Sequence, residues 1–185
     1  MKYYIAVDIG GTHIKFGIVD EHGVLVQKHS LSADFDQYQT PIIQTVIKGI
    51  YELIKLVNHD YDFEGIAVSA AGQIDVEEGV VIGTNGHIAN YEQTNIKTTL
   101  QQEFNLETTV INDANAMVLG EAWIGAGAQY NHICGVTIGT GVGGGIVVES
   151  KILLGARGIA GEIGHFSIKK NGKQCSCKNV GCFEQ

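Results

Sequence analysis

A duplicated pattern of strand, glycine-rich turn and strand constrains this fold more than any other feature of the sequence. In the first copy, an apolar run over residues 3–8 leads into Gly10-Gly11, and a second run follows over residues 15–20. In the second copy, an apolar run begins at Ile133, leads into the turn 139–145 and continues as a strand over 146–149. Glycine has no β-carbon, so its backbone can approach a ligand closely. The repeat therefore predicts two related lobes, each with one such turn.

The remaining elements predict an α/β fold. A third strand is expected over 24–29, and apolar residues at helical spacing predict a helix from Pro41 to Asn58 with Thr40 as its N-cap. Further strands are expected at 65–69 and 108–112, helices at 95–104 and 114–124, and a loop over 73–90. The order βββαβαβα is typical of an actin-like, or ribonuclease H-like, lobe.

We therefore predict a two-lobe ATPase fold of the actin-like type. Residues 1–125 form the N-terminal lobe, and residues 126–185 form the start of a second lobe. That second lobe is expected to be incomplete, because no crossover helices or closing strands follow Leu153 to cover its sheet.

Composition and charge limit the classes of partner. The net charge is −8, from 12 Lys+Arg against 20 Asp+Glu, with no basic cluster longer than Lys169-Lys170. Nucleic acid is not expected as a partner, because binding to the phosphate backbone needs a concentrated basic surface. No apolar run approaches the roughly 20 residues that cross a bilayer. With no export signal at the N-terminus, we expect a cytoplasmic protein that does not enter a membrane.

The two glycine turns are candidate phosphate-binding loops. The first contains Asp8, Gly10, Gly11 and Thr12, with Lys15 shortly after. Its glycines let N–H groups reach phosphate oxygens, and Asp8 can hold a hydrated Mg²⁺. When this motif is taken alone, a simple hairpin turn is the favoured interpretation.

The second turn shifts the interpretation from a simple hairpin turn towards ligand binding. It has five glycines in the seven positions 139–145, more than a tight turn needs, which indicates room for a ligand. Its candidate phosphate-binding residues are Thr137, Gly139, Thr140 and Gly141. It contains no GK[ST] sequence and is therefore not a P-loop.

Asp113 is the candidate general base. It follows a strand and begins a helix, a position at which an aspartate is often only an N-cap. A kinase, however, needs a carboxylate that accepts the proton of the attacking hydroxyl. Since Asp113 lies between the two turns in sequence, we assign it this role, with Asn112 as a partner for a sugar hydroxyl.

A group of cysteines near the C-terminus predicts a structural zinc site. His165, Cys175, Cys177 and Cys182 provide four ligands of the types that zinc binds tetrahedrally. The alternative, a set of reduced structural thiols, is less favoured because Lys, Asn and Gly surround the cysteines. Cys134 lies in an apolar run and is expected to be packed there.

Four segments in order resemble the signatures of the ROK family (repressor, open reading frame, kinase). They are Asp8-Ile-Gly-Gly-Thr12, Asn112-Asp-Ala-Asn-Ala116, Gly158-Ile-Ala-Gly-Glu-Ile-Gly-His165 and Cys175-x-Cys177-x4-Cys182-x-Glu184. The resemblance implies an actin-like two-lobe fold, Mg·ATP as phosphoryl donor, and a hexose or N-acetylhexosamine as acceptor, phosphorylated at O6. It also implies a possible homodimer, since dimers are common in the family.

The resemblance also implies residue roles. Asp113 resembles the family's base, while Asn112, Glu162, His165 and Glu184 resemble its sugar ligands. His165 with the three cysteines resembles its zinc set. Gly72 resembles the glycine of the first sugar-side loop, although Ala71 replaces the usual proline before it and Lys178 replaces a glycine after the second cysteine.

Two alternatives remain at this stage. The family includes sugar-sensing repressors, but the first phosphate motif begins at residue 8 and leaves no room before it for a DNA-binding segment. A non-catalytic sugar-binding fragment is the other alternative, because family members continue for roughly another hundred residues.

Overall fold

A computed structural model of the chain describes residues 1–34, 36–57, 61–84, 88–139 and 141–185. It contains two compact units, Met1–Asp113 and Ala114–Gln185. The lobe boundary placed after residue 125 from the sequence stays a prediction. Within the described residues, no helix is both long and apolar enough to cross a membrane.

The first unit is built on a five-stranded sheet with the strand order β3-β2-β1-β4-β7. These strands are β1 (Tyr3–Ile9), β2 (His13–Asp20), β3 (Leu25–Ser32), β4 (Phe63–Ala70) and β7 (Thr108–Asn112). The pairs β1–β2 and β2–β3 are antiparallel, whereas β1–β4 and β4–β7 are parallel. The five strands predicted for this lobe are confirmed, and the carboxyl ends of β1, β4 and β7 meet at one edge.

Two helices cover this sheet. Helix α1 (Ile42–Lys55) packs on β2 and β3, α2 (Ile96–Phe104) packs on β7, and the two helices contact each other. The apolar face of α1 is buried through Ile42, Val46, Ile50 and Leu53. Each such side chain contributes about 1.5–3 kcal/mol relative to an exposed position. These side chains of α1 therefore form part of the hydrophobic core between the helices and the sheet.

Two predictions for this unit are corrected. Thr40 is not the N-cap of α1: Pro41 holds that position, and the Thr40 hydroxyl donates to Asp36 Oδ2 instead (2.6 Å). The residues after Gly72 are not all loop, since β5 (Gln73–Asp75) and β6 (Val80–Gly83) form an antiparallel hairpin. Strands of three and four residues are too short to show a periodic pattern. The predicted end of α1 at Asn58 lies outside the described residues.

The second unit combines most of a helix with a small sheet. Helix α3 (Asp113–Trp123) begins with the last residue of the first unit, and it confirms the helix predicted at 114–124. The sheet has the order β10-β9-β8, from β8 (His132–Ile138), β9 (Val142–Val148) and β10 (Lys151–Ile152). A short 3₁₀ turn follows at Ile163–His165.

Candidate active-site residues and metal centre

Parallel pairing brings candidate polar residues together at the carboxyl edge of the five-stranded sheet. Asp8 on β1 is paired with Ser69 on β4, and Ala70 on β4 is paired with Asn112 on β7. Asp113 follows immediately and starts α3. The first unit thus places Asp8 at the end of β1 and the neighbouring residues Asn112 and Asp113 at the end of β7, with β4 between the two strands.

The Asp8 carboxylate is held by two side chains. Ser69 Oγ donates to Asp8 Oδ1 at 2.8 Å, and Lys15 Nζ lies 3.3 Å from Oδ2. The Asp8 side chain is 44% exposed and that of Lys15 is 70% exposed. An accessible carboxylate of this kind fits a hydrated Mg²⁺, which keeps several of its waters and uses few protein ligands.

The turn Gly10-Gly11-Thr12 is anchored by its carbonyl groups. Gly10 N–H donates to His13 O (3.1 Å), the Tyr38 hydroxyl donates to Gly11 O, and Ala33 N–H donates to Thr12 O (2.9 Å). Neither Gly10 nor Gly11 has a positive φ. The backbone conformation therefore does not by itself demand glycine here, but a β-carbon added at Gly10 would lie 3.1 Å from His13 O, so packing within the turn favours glycine at that position.

Asn112 links Asp113 to the loop after β4. Its Nδ2 donates to Gly72 O at 2.9 Å and to Asp113 Oδ1 at 3.0 Å, and the Asp113 side chain remains exposed. Gly72 has φ +100°, and an added β-carbon would lie 2.6 Å from Gly83 O. Gly72 is thus needed for the backbone, and its carbonyl sets the position of Asn112.

The second glycine turn divides into an open part and a packed part. Apart from the chain neighbours of Gly139, no described atom lies within 4 Å of a β-carbon added there, and the turn is closed by Gly139 N–H donating to Gly141 O (2.9 Å). In contrast, added β-carbons at three glycines of β9 would lie 2.6 Å from Thr137 Oγ1 (Gly143), 2.6 Å from Ile163 (Gly144) and 2.9 Å from Val118 (Gly145).

The number of glycines in this turn therefore has two causes. The expectation that all five make room for a ligand is wrong for those on β9, because they make room for α3 and for the segment around Ile163. Gly139 remains available for that role, and a β-carbon added at Gly141 would lie 2.8 Å from Glu184 Oε2, the end of a side chain that can move. Thr140 lies outside the described residues, and the Thr137 hydroxyl accepts from Gly143 N–H (3.2 Å).

The four predicted metal ligands come together in the second unit. The ligand atoms of His165, Cys175, Cys177 and Cys182 all lie within 4.8 Å of one another. Cys175 Sγ is 3.6 Å from His165 Nδ1, and Cys177 Sγ is 3.6 Å from Cys182 Sγ. With Zn–S bonds of about 2.3 Å, tetrahedral sulfurs lie about 3.8 Å apart, so this donor set fits zinc in both chemistry and spacing.

The thiols differ in their environment. Burial, together with the neighbouring thiols, raises the pKa of Cys182 to about 12. The backbone N–H of Asn179 lowers the pKa of Cys177, which is exposed. A bound divalent cation deprotonates such thiols, which relieves the conflict between burial and charge at Cys182.

Glu162 and Glu184 lie on either side of His165. Glu162 Oε2 is 4.0 Å from Nε2, and Glu184 Oε1 is 3.6 Å from Nδ1. Glu184 Oε1 also accepts from Cys175 Sγ at 3.0 Å. This hydrogen bond and the His165 ring lower the pKa of the Glu184 carboxyl. The three proposed sugar ligands of this unit therefore form one group with the metal ligands.

Two residues at the first turn did not stand out in the sequence. Ser69 binds the Asp8 carboxylate, and Tyr38 binds the Gly11 carbonyl through a hydroxyl 27 residues away in sequence. The signal for Ser69 was its place at the end of a buried strand parallel to β1. Tyr38 lies in a connection with positive φ at Gln37 and Tyr38, for which the sequence offers no pattern.

These features define a protein of the actin-like ATPase fold with a cluster of Cys and His residues that could hold a metal ion. The profile of the ROK family matches residues 4–185, and the chain belongs to this family. A glucokinase of Thermotoga maritima is 33% identical over 180 residues, covering 97% of this chain and 55% of that protein. A xylose repressor of Bacillus spizizenii is 30% identical, covering 98% of this chain and 47% of the repressor.

A solved structure extends this likeness to the fold. It is the ROK family glucokinase from Streptomyces griseus in complex with glucose and AMPPNP, with a TM-score of 0.85 and 31% identity, covering 99% of this chain and 56% of that one. The chain spans about half the length of the curated relatives it matches.

Proposed function

We propose that this chain is part of an ATP-dependent sugar kinase that transfers the γ-phosphoryl group of ATP to a hydroxyl of a hexose or N-acetylhexosamine, at O6. The observation that carries the proposal is the exposed Asp113 carboxylate, held by Asn112 at the sheet edge that also carries Asp8. Likeness to glucokinases over nearly the whole chain supports the same reaction class.

In this proposal Asp113 is the general base. The sugar hydroxyl loses its proton to the Asp113 carboxylate while its oxygen forms a bond to the γ-phosphorus, and the bond from that phosphorus to the β,γ-bridging oxygen breaks to release ADP. Asn112 keeps the carboxylate in one orientation, because its amide also donates to Gly72 O (2.9 Å). A base of this kind contributes about 10²–10⁴-fold to the rate.

The glycine turns and the second unit supply binding. Backbone N–H groups of Gly11 and Gly141 are proposed to bind phosphate oxygens, helped by Thr12, Lys15, Thr137 and Thr140, while the N–H groups of Gly10 and Gly139 close the two turns. Asp8 would hold the Mg²⁺, which neutralises phosphate charge when bound. Glu162, His165 and Glu184 are proposed to bind sugar hydroxyls, and a structural zinc bound to His165, Cys175, Cys177 and Cys182 would fix their loop.

The test is ADP release by the native gene product with Mg·ATP and a panel of hexoses and N-acetylhexosamines. Sugar-dependent ADP formation is expected, with a fall of about 10²–10⁴-fold in kcat for Asp113→Asn. Sugar affinity should stay nearly unchanged in that variant, because the amide can still contact a hydroxyl. Asp62→Asn, an exposed aspartate before β4, is the matched control. Loss of sugar binding in Asp113→Asn would make Asp113 a binding residue and refute the assignment.

A sugar-sensing role is the second candidate, and the match to a xylose repressor over 98% of the chain favours it. A sensor would bind a sugar without forming ADP. Sugar binding measured by calorimetry, with no ADP released for any sugar in the panel, would support this role over the kinase.

A further inference from the structure

The hydroxyl of Ser69 contacts Asp8, but Ser69 has no role in the proposed kinase mechanism. It donates to Asp8 Oδ1 at 2.8 Å, on the side of the carboxylate away from Lys15. We propose that Ser69 is a positioning residue that fixes the Asp8 carboxylate for the divalent cation accompanying the nucleotide. This inference rests on the proposed function and adds a residue to it.

The sheet gives this contact a rigid base. Asp8 and Ser69 are paired residues of the parallel strands β1 and β4, so their side chains project to the same face. Their chain neighbours Val7, Ile9 and Val68 are at most 2% exposed and belong to the core. Strand pairing and these buried neighbours hold the two backbones in register, which places the Ser69 oxygen within hydrogen-bond distance of Asp8.

The contact leaves one carboxylate oxygen accessible. Ser69 binds Oδ1, whereas Oδ2 is approached by the Lys15 side chain, which is 70% exposed. An aspartate bound on one oxygen loses its freedom to rotate and presents the other oxygen in one direction. Partners that orient a ligating carboxylate in this way typically change metal affinity by about 10–100-fold when removed.

A purely structural role for Ser69 predicts a different result. The Asp8 side chain is 44% exposed, so water can bind its oxygens in place of Ser69. If the hydrogen bond served only folding, its loss would change thermal stability and leave the cation requirement alone. If it serves positioning, its loss changes the cation requirement and leaves the Tm nearly the same.

The experiment titrates Mg²⁺ against ADP binding in the native gene product by isothermal titration calorimetry. Ser69→Ala should raise the Mg²⁺ concentration for half-maximal ADP binding by about 10-fold. This is the lower end of the range for residues that orient a metal-binding carboxylate, because a hydrated ion is bound partly through its own waters. ADP affinity at saturating Mg²⁺ should return to the wild-type value. In Asp8→Ala, adding Ser69→Ala should have no further effect, since Ser69 acts through Asp8.

The controls separate the possible failures. Ser30→Ala removes a hydroxyl from β3, two strands from Asp8, and should leave the Mg²⁺ requirement unchanged. If Ser69→Ala does not fold, Ser69→Cys replaces the hydroxyl with a weak donor of similar size and decides the question. If ADP binding by the wild type requires Mg²⁺ and Ser69→Ala has the same Mg²⁺ requirement, this inference alone is wrong. The same conclusion follows if Ser69→Ala loses ADP affinity and saturating Mg²⁺ does not restore it. A wild type whose ADP binding ignores Mg²⁺ overturns the proposed function and this inference with it.

Discussion

Replacing Gly144 with alanine is expected to disturb the metal-binding segment without changing a ligand. An added β-carbon at Gly144 would lie 2.7 Å from the carbonyl oxygen of Gly161 and 2.6 Å from Ile163 Cγ1. Ordinary contacts begin at 3.4 Å, so the main chain at Gly161 must move by about 0.7 Å (3.4 − 2.7). The Ile163 side chain can rotate away, but the Gly161 carbonyl belongs to the backbone that leads to His165.

That displacement is large for a metal site, in which ligand distances vary by only about 0.2 Å. We expect weaker zinc binding and a loss of about 1–3 kcal/mol in the free energy of unfolding, as is typical of overpacking. For a chain of this size, that loss lowers the Tm by about 2–12 °C. Zinc affinity is measured by competition with a chromogenic chelator, and the Tm by scanning calorimetry.

Gly120→Ala is the matched control in the same unit. Gly120 is within α3, and beyond its chain neighbours and the surrounding helix backbone no described atom lies within 4 Å of a β-carbon added there. Alanine is favoured over glycine in a helix by up to about 1 kcal/mol, so the Tm should hold or rise and zinc affinity should not change. If Gly144→Ala retains the zinc affinity and Tm of the wild type, packing of β9 against Gly161 does not hold the ligands in place, and the reasoning is refuted.

Three further predictions follow from single contacts. Cys177→Ser should lower bound zinc from about one ion per chain to near zero and reduce the Tm, as elemental analysis and calorimetry would show; a metal-free wild type of equal Tm would contradict this. Tyr91→Phe should stabilise the protein by about 1 kcal/mol in urea denaturation, because the buried Tyr91 hydroxyl has no hydrogen-bond partner among the described residues; destabilisation would mean that the hydroxyl is satisfied. The Thr40 hydroxyl lowers the pKa of the Asp36 carboxyl in the folded protein. The ionised carboxylate therefore stabilises the fold at pH values above its unfolded-state pKa of about 3.9, and this stabilisation is lost as the pH falls through the lower, folded-state pKa. The Tm of Asp36→Asn should therefore be below that of the wild type at neutral pH and converge with it in strong acid; an equal gap at both pH values would count against the contact.

Most strands and helices could be predicted from the sequence because each produces a pattern within a short stretch of residues. Buried residues alternate along β1, and α1 shows helical spacing from Ile42 to Leu53, so the sequence predicted both elements. The contact between Asp8 and Ser69 was not predictable in the same way. It depends on the register of two parallel strands joined by a long connection, and register is set by packing over the whole sheet.

The glycines of the second turn show where local reading fails. Gly139 and Gly144 belong to the same glycine-rich run, yet a β-carbon added at Gly144 would lie 2.7 Å from Gly161 O, whereas one added at Gly139 would meet no described atom within 4 Å beyond its chain neighbours. Only the packed segment from Gly161 to His165 separates them. The metal ligands were predictable for the opposite reason, because Cys175, Cys177 and Cys182 lie close in sequence and a short loop brings their sulfurs together.

His165 makes the metal centre and the proposed sugar ligands of the second unit depend on each other. Its Nδ1 lies 3.6 Å from Cys175 Sγ, and its Nε2 lies 4.0 Å from Glu162 Oε2. An imidazole bound to a metal through Nδ1 must carry its hydrogen on Nε2, and its ring can no longer turn. A metal bound to His165 Nδ1 would therefore set both the direction and the donor character of the nitrogen that faces Glu162. A sugar hydroxyl placed between His165 and Glu162 would meet a donor on one side and an acceptor on the other, which is an arrangement that a ring free to rotate could not maintain.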